Sequence, residues 1–427
     1  MEKERYESYV SLLKKELIPA LGCTEPIAIA YASAKASQVL NSVPSHIMAE
    51  CSGNIVKNVM GVIVPNSDNN KGIEIAATLG AIAGDANAGL NVLEKVTEDQ
   101  IEECKKLVAS GFCKCVLAEG VDNLYVKITA HEGVSEAEVT VSHTHTNITR
   151  IAKDGIIIFE KPETERQKDN FYKTMSISEI LDFAKEVRLS DVRDILKMQI
   201  KCNTAISNEG LTHSYGANIG KTVIKRGNAD FSSRIKGKVA AGSDARMNGC
   251  SMPVVINSGS GNQGLAVSLP VIEFAKEKNL TEDELLRGLL VSNLVSIYAK
   301  KKIGSLSAFC GAASAAAAAG AGIAYLKKWP EGKISKVIES TLVNVGGLIC
   351  DGAKSTCAAK LATALDAMLM SLDMLEEGNS FGINEGLMGE DAEKTVSNVC
   401  FVGKNGMSET DLNVLKIMTG EIDTDEC

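Results

Sequence analysis

Residues 312–323 read Ala-Ala-Ser-Ala-Ala-Ala-Ala-Ala-Gly-Ala-Gly-Ile, an almost unbroken run of small side chains. Small side chains let neighbouring helices approach closely, so the run predicts a buried central helix rather than a surface helix. It is shorter than the roughly 20 apolar residues that a membrane-spanning helix needs. The second half of the chain should therefore be built largely of helices around this stretch.

The remaining segments of the second half support the same interpretation. Most of them carry apolar residues at helical spacing, and glycine-rich breaks separate many of them. Helices are predicted at residues 176–187, 191–207, 270–277, 282–300, 312–328, 333–348 and 355–375.

The first part of the chain has a mixed pattern. Helical spacing predicts helices at residues 2–17, 27–39, 72–83 and 98–110. Between them lie short, alternating, β-branched segments, which predict strands at residues 47–49, 59–64, 125–129, 138–141, 147–152 and 156–159. Asp154-Gly155 separates the last two and predicts a hairpin turn.

These patterns predict an α+β fold with two domains. The charged segment at residues 162–169 is the predicted boundary. Residues 1–165 should form an α/β region of N-terminal helices with a small mixed sheet. Residues 166–427 should form a mostly α-helical domain.

Composition limits the classes of partner. The chain of 427 residues has a net charge of −9 and no evident basic patch, which argues against a nucleic-acid partner. The N-terminus lacks the apolar core of a signal peptide and no apolar run could span a bilayer, so we expect a cytoplasmic protein without membrane contact. Small-residue helical surfaces are compatible with a homodimer. One Trp and 4% aromatic residues favour a small, polar ligand.

Three of the 12 cysteines stand out by their surroundings. Cys310 and Cys350 lie within two residues of a glycine, and Cys310 and Cys357 lie near predicted helix N-termini. A helix N-terminus favours a thiolate, and glycine permits the close backbone approach that an iron–sulfur cluster needs. Their spacing matches no zinc-finger or ferredoxin pattern, so buried core thiols remain the alternative. Seven further cysteines are predicted core residues, namely Cys51, Cys104, Cys113, Cys115, Cys202, Cys250 and Cys400, whereas the terminal Cys427 is predicted to be mobile.

A further cysteine lies in the motif Gly22-Cys23-Thr24-Glu25-Pro26, between two predicted helices. Pro26 suits the first turn of the second helix, and Thr24 could cap it. Cys23 would then sit at a helix N-terminus, which would favour its thiolate. A well-capped helix with an incidental cysteine is the alternative.

Two polar segments are candidate ligand sites. The loop Ser258-Gly259-Ser260-Gly261-Asn262-Gln263-Gly264 offers backbone N–H groups and short hydroxyls to an anion, either a phosphate or a carboxylate. It lacks the Lys-Ser/Thr pair of a P-loop. Asn54 lies in a polar, glycine-bearing turn that could line a pocket, and a plain surface turn is the alternative. His143 and His145 would share one strand face and suggest zinc, but no third ligand is evident.

The motifs around Cys23 and Ser258, together with Cys350-Asp351-Gly352-Ala353-Lys354, resemble those of the L-cysteine desulfidase family. That family is similar to the α-chain of iron–sulfur-dependent L-serine dehydratase, and the resemblance covers essentially the whole chain. It implies a [4Fe–4S] cluster held by Cys310, Cys350 and Cys357, with the fourth iron open to substrate. It also implies Cys23 as the catalytic base. We expect the substrate to be bound by Thr24, Glu25, Asn54, Ser258, Ser260, Asn262 and Gln263.

The implied reaction is β-elimination on a small L-amino acid, converting L-cysteine to pyruvate, ammonia and sulfide. Serine dehydratases are expected to carry a Ser-Ser-His-Thr loop, which this sequence lacks, so a thiol substrate is favoured. Serine dehydratase-like activity, a pyridoxal phosphate enzyme, a non-catalytic cluster-bearing sensor and an amino-acid binding protein remain alternatives. Cys427 could fold back to the cluster.

Overall fold

The computed structural model describes residues 1–162, 171–304 and 307–422. The predicted domain boundary between residues 165 and 166, and Cys427, lie outside these ranges. Among the described residues, no helix combines the length and apolar character needed to cross a membrane.

The N-terminal part contains both helices and strands, as the sequence predicts. Its helices are α1 (Lys3–Glu16), α2 (Thr24–Leu40), α3 (Gly53–Val59), α4 (Ile73–Ala83) and α5 (Glu98–Ala109). Its strands are β1 (Pro19–Leu21), β2 (His46–Ser52), β3 (Cys113–Ala118), β4 (Tyr125–Glu132), β5 (Ser135–Ser142), β6 (Ile148–Lys153) and β7 (Ile156–Glu160).

The rest of the described chain is helical apart from one short strand, β8 (Pro253–Val255). Its α-helices are α6 (Ile177–Glu186), α7 (Arg193–Thr212), α8 (Ile219–Arg226), α9 (Phe231–Met247), α10 (Gly261–Glu277), α11 (Glu282–Ile303), α12 (Gly311–Leu326), α13 (Glu331–Val345), α14 (Cys357–Glu376), α15 (Ala392–Phe401) and α16 (Ser408–Thr419). The predicted α+β class is confirmed.

Six strands form one mixed sheet in the order β3-β2-β4-β5-β6-β7. β2 and β3 are parallel and the other neighbours are antiparallel. The predicted hairpin is confirmed: Asp154 and Gly155 link β6 to β7 with positive φ angles of 49° and 77°, which such a tight turn requires. α2 packs on this sheet and on α4.

A second, two-stranded sheet joins distant parts of the chain. β1 pairs antiparallel with β8, with Pro19 opposite Val255 and Leu21 opposite Pro253. Because the pair is antiparallel, the chain leaves β1 and β8 at opposite ends of this three-residue ladder. Residues that follow both strands nevertheless belong to the candidate site.

The predicted central helix is confirmed. The run of small residues lies within α12, which is buried and packs against α10, α11, α13 and α14. A Cβ atom at Gly320 would lie 2.6 Å from Val337 Cγ1, so the packing tolerates no larger side chain there.

Two local predictions are wrong. The predicted strand at residues 59–64 is the end of α3 followed by a turn, in which Val59, Val62 and Val64 are all buried. Their β-branched pattern reflects burial rather than pairing. The helix predicted to begin at Pro270 begins at Gly261, and Pro270 lies inside it. Gly261 and Gly264, which resemble a loop in the sequence, are helical residues whose close packing leaves no room for a side chain.

Packing of α4 on α2 provides a test of the fold. A Cβ atom at Gly80 would lie 2.3 Å from the backbone oxygen of Ala30. Gly80→Ala is therefore expected to lower the free energy of unfolding by about 1–3 kcal/mol, measured by urea denaturation. The matched control is Gly332→Ala in α13, where a Cβ atom meets nothing within 4 Å. That change should be neutral or stabilise by up to about 1 kcal/mol, and equal effects of the two would contradict the packing.

Candidate active site

One cavity of about 540 Å³ gathers residues from both parts of the chain. All of the predicted site residues except Asn54 line it. These are Cys23, Thr24, Glu25, Ser258, Ser260, Asn262, Gln263, Cys310, Cys350 and Cys357.

Asn54 is placed elsewhere. It lies in α3, and its side-chain Nδ2 donates a 2.7 Å hydrogen bond to Asp411 Oδ2 of α16. It lines a separate cavity of about 560 Å³. The expectation that Asn54 helps to bind substrate in the main cavity is therefore corrected by the packing of α16 on α3.

A hydrogen bond from Thr24 to Gly259 joins the Cys23 motif to the Ser258 loop. Cys23 follows β1 and Ser258 follows β8. The Thr24 hydroxyl donates a 2.9 Å hydrogen bond to the backbone oxygen of Gly259 and so ties the two segments together. The two motifs thus form adjoining walls of one site.

Cys23 lies at the N-terminus of α2, as the sequence predicts, but the cap is Cys23 itself and the predicted cap Thr24 is the first helical residue. The Cys23 thiol is not activated by that position. Burial, and then the negative charge of Glu25, raise the pKa of Cys23 well above that of an ordinary thiol. The expectation of a thiolate stabilised by the helix terminus is therefore wrong for this state, because desolvation outweighs the helix dipole. The Cys23 thiol instead donates a 2.9 Å hydrogen bond to Glu25 Oε2.

Glu25 is a buried carboxylate that the site keeps ionised. Burial opposes its ionisation, but the His145 imidazole, the Cys23 thiol and the Arg246 guanidinium lower the pKa of Glu25 to about 2. Asn58 Nδ2 donates a 3.1 Å hydrogen bond to Glu25 Oε1, and His145 Nε2 lies 4.0 Å from the same oxygen. The resting pair is thus a neutral thiol beside a carboxylate.

This pKa predicts the acid sensitivity of the fold. Because the folded pKa lies below the unfolded value of 4.5, Glu25 contributes stability above pH 4.5 and loses it as the pH falls towards 2. The contribution should be about 3 kcal/mol. Urea denaturation of wild type and Glu25→Gln between pH 7 and pH 3 should show their difference in unfolding free energy change by about 2 kcal/mol, because the rest of the contribution is lost only below pH 3. A pH-independent difference would contradict the lowered pKa.

The Ser258 loop is half turn and half helix. Ser258 and Gly259 have positive φ angles of 51° and 80°, and Ser260 is the N-cap of α10, with its hydroxyl accepting from the Gln263 amide. The first turn of a 17-residue helix therefore points its N–H groups at the cavity. Asn262 Oδ1 and Gln263 Oε1 are buried without a hydrogen-bond partner among the described residues.

Cys310 and Cys350 are brought together by a short backbone ladder. Cys310 N donates to Leu348 O at 3.0 Å, and Cys350 N donates to Ala308 O at 2.6 Å. The two thiols are close enough for each to shift the pKa of the other. The Cys310 thiol lowers the pKa of Cys350, as do the ammonium groups of Lys57 and Lys300, although burial opposes them.

Cys357 completes the set at the first residue of α14, where its Sγ lies 3.7 Å from the backbone oxygen of Gly352. Cys310 is the N-cap of α12. Both helix-start positions are as predicted, but burial raises the pKa of Cys357. Position at a helix start therefore does not by itself produce a thiolate here.

Residues 87–416 match the family model described as serine dehydratase alpha chain. This chain belongs to the serine dehydratase α-chain family. The predicted resemblance to that family is thereby confirmed.

Relatives that align with nearly the whole of this chain have names that are less specific than the family description. A UPF0597 protein of Lachnoclostridium phytofermentans is 49% identical and covers 97% of this chain and 99% of its own length. UPF0597 proteins of Finegoldia magna and Treponema denticola are 45% and 43% identical, covering 96% and 98% of this chain and 99% of their own lengths. Their names state no reaction.

Sequence reasoning missed several charged residues of this serine dehydratase family member. Lys300 is buried beside Cys310 and Cys350, and burial lowers its pKa. It lies in the run Lys300-Lys301-Lys302, and its helical spacing from the buried Asn293 and Ile297 was a usable signal of burial. Arg246, also buried, carried no such signal.

Lys57 was missed as well. It is 1% exposed, forms an ion pair with Asp411 and donates a 3.3 Å hydrogen bond to the backbone oxygen of Cys350. The sequence gave no indication of this role, because Lys57 lies in α3, a helix that was not predicted.

The two histidines are not arranged as a zinc site. His143 and His145 lie in the turn between β5 and β6, not in a strand. His143 Nδ1 lies 3.4 Å from Asp122, whereas the buried His145 approaches Glu25. The prediction that the two imidazoles share one face of a strand is therefore wrong.

Cys310, Cys350 and Cys357 are the residues that would hold the iron–sulfur cluster of the serine dehydratase family. No group of three or more His, Cys, Asp or Glu in the described ranges could hold a single metal ion. Cluster thiolates bind separate irons and need not converge on one point. Three cysteines on one cavity wall, with Lys57 and Lys300 acting electrostatically on Cys350, fit a negatively charged cluster in donor type and charge.

Proposed function

We propose that this chain is an iron–sulfur-dependent lyase that eliminates the β-substituent of a small L-amino acid, with L-cysteine as the preferred substrate. The products would be pyruvate, ammonia and sulfide. The observation that carries the proposal is the meeting of Cys310, Cys350 and Cys357 with the Cys23–Glu25 pair in one cavity. Membership in the serine dehydratase α-chain family supports the reaction class.

Cys310, Cys350 and Cys357 would hold the cluster. When bound, it would supply a Lewis acid for the departing β-substituent. The cationic surroundings of Cys350 would stabilise the charge of the ligated thiolates.

The Cys23–Glu25 pair would move the α-proton. The substrate proton passes to Cys23 Sγ as the thiol proton passes to Glu25 Oε2, which already accepts that hydrogen bond at 2.9 Å. The pair thus accepts one proton in total, and the ionised Glu25 makes this possible without a free thiolate. Loss of the β-substituent gives an aminoacrylate, which water hydrolyses to pyruvate and ammonia.

A second candidate function is L-serine dehydration. It is favoured by the description of the matching family model. The absence of a Ser-Ser-His-Thr loop from the sequence favours the thiol substrate instead.

The test is anaerobic reconstitution with iron and sulfide, removal of unbound sulfide, and assays with both substrates. We expect pyruvate and sulfide from L-cysteine at a higher kcat/KM than pyruvate from L-serine. The reverse order would establish the second candidate. No product from either, with iron and sulfide bound, would favour a sensor or binding protein. Activity without iron and with pyridoxal phosphate would overturn the proposal.

A further inference from the structure

Arg246 is a buried cation that forms no direct ion pair with a carboxylate among the described residues, although the Glu25 carboxylate is near enough for the guanidinium to lower its pKa. It lies in the last turn of α9, is 3% exposed and lines the main cavity. Its Nε has no hydrogen-bond partner, and its Nη1 is 4.0 Å from Met247 Sδ. Burying an unpaired guanidinium is costly, so the site is built for an anion that is supplied by a ligand.

The guanidinium lies against the start of α10. A Cβ atom at Gly261, the first residue of that helix, would lie 2.2 Å from Arg246 Nε and 2.6 Å from Val254 Cγ2. Only glycine leaves room for the arginine there. The unpaired side chain and the free N–H groups of the helix start are thus placed together, a combination suited to a carboxylate.

Hydrogen-bond acceptors lie on the same wall. Asn262 Oδ1 and Gln263 Oε1 follow Gly261 in the first turn of α10 and have no partner among the described residues. A carboxylate cannot bind to them, because acceptors repel it, whereas an ammonium group can. A cationic donor beside two acceptors matches the two ends of a zwitterionic α-amino acid.

We propose that Arg246 binds the α-carboxylate of the substrate and that the side-chain oxygens of Asn262 and Gln263 bind its α-ammonium group. The inference rests on the proposed function for the identity of the ligand. It replaces the expectation that the Ser258 loop with Asn54 binds the carboxylate, and it makes Arg246 a determinant of specificity for α-amino acids.

The test measures binding without turnover. The reconstituted full-length chain is titrated calorimetrically with L-alanine, which has no β-leaving group, with L-alaninamide, which lacks the carboxylate, and with L-lactate, which lacks the ammonium group. Wild type should bind L-alanine at least about 10-fold more tightly than either analogue. Arg246→Ala should weaken L-alanine binding roughly 10- to 100-fold and abolish the preference over L-alaninamide.

Two further variants separate binding from folding. Gly261→Ala keeps the guanidinium but displaces it, so the same preference should be lost even if Arg246→Ala fails to fold. The double variant Asn262→Ala, Gln263→Ala should instead lose the preference over L-lactate. The matched control is Arg234→Ala, on the same helix, which is paired with Glu277 at 2.6 Å and should bind as wild type does.

Retention of the wild-type preference over L-alaninamide in Arg246→Ala or Gly261→Ala would overturn the inference. This outcome is distinguishable from failure of the proposed function. The expected binding pattern without any elimination product would leave the amino-acid site standing and refute the lyase.

Discussion

Cys350→Ser is expected to abolish the binding of iron and acid-labile sulfide and to reduce elimination to background. Cys350 is the most thiolate-like of the three predicted ligands, because Cys310, Lys57 and Lys300 all lower its pKa. A serine hydroxyl is far less acidic and is a poor cluster ligand. Iron and sulfide should fall from about four of each per chain to near zero.

The fold should survive this change. Lys57 binds the backbone oxygen of Cys350 rather than its side chain, and the ladder to Ala308 is also made by the backbone. Thermal denaturation of the cluster-free proteins should therefore give similar Tm values. The matched control is Cys202→Ser in α7. The Cys202 thiol does not line the cavity, so this substitution should leave the iron content unchanged. A full complement of iron in Cys350→Ser would refute the ligand assignment.

Glu25→Gln is expected to lower kcat by about 10²- to 10⁴-fold while leaving the iron content intact. Glutamine keeps the size of the side chain but cannot accept the proton that Cys23 must release. Cys23→Ser should cause a loss of similar size. Because the two residues act as one unit, the double variant should be no slower than the slower single variant.

Pyruvate formation by the reconstituted proteins measures these rates. Glu16→Gln is the matched control, because Glu16 is a buried carboxylate on the same cavity but is paired with Lys301 at 2.6 Å. It should retain activity within a few-fold of wild type. Wild-type kcat in Glu25→Gln would remove Glu25 from the proton transfer, and multiplicative losses in the double variant would show that the pair does not act as a unit.

Local sequence signals were sufficient for much of the fold. Helical spacing predicted the long helices, and the run at residues 312–323 predicted the buried α12. They failed at residues 59–64 and at the start of α10. In both places tertiary packing decides the structure. Val62 and Val64 are buried beyond the end of α3, and the glycines that resemble a loop form the contact surface of α10.

The sequence by itself determined which residues are chemically capable: the cysteines, the Cys23-Thr24-Glu25 motif and the Ser258 loop. Their capacity lies in their own side chains and near neighbours. Only the tertiary structure decided that they meet, through the hydrogen bond from Thr24 to Gly259 and the shared cavity, and that Asn54 does not join them. It also decided the protonation of Cys23 and the exposure of Arg246 to a ligand. Desolvation and charge depend on atoms brought together from distant segments, which no local pattern contains.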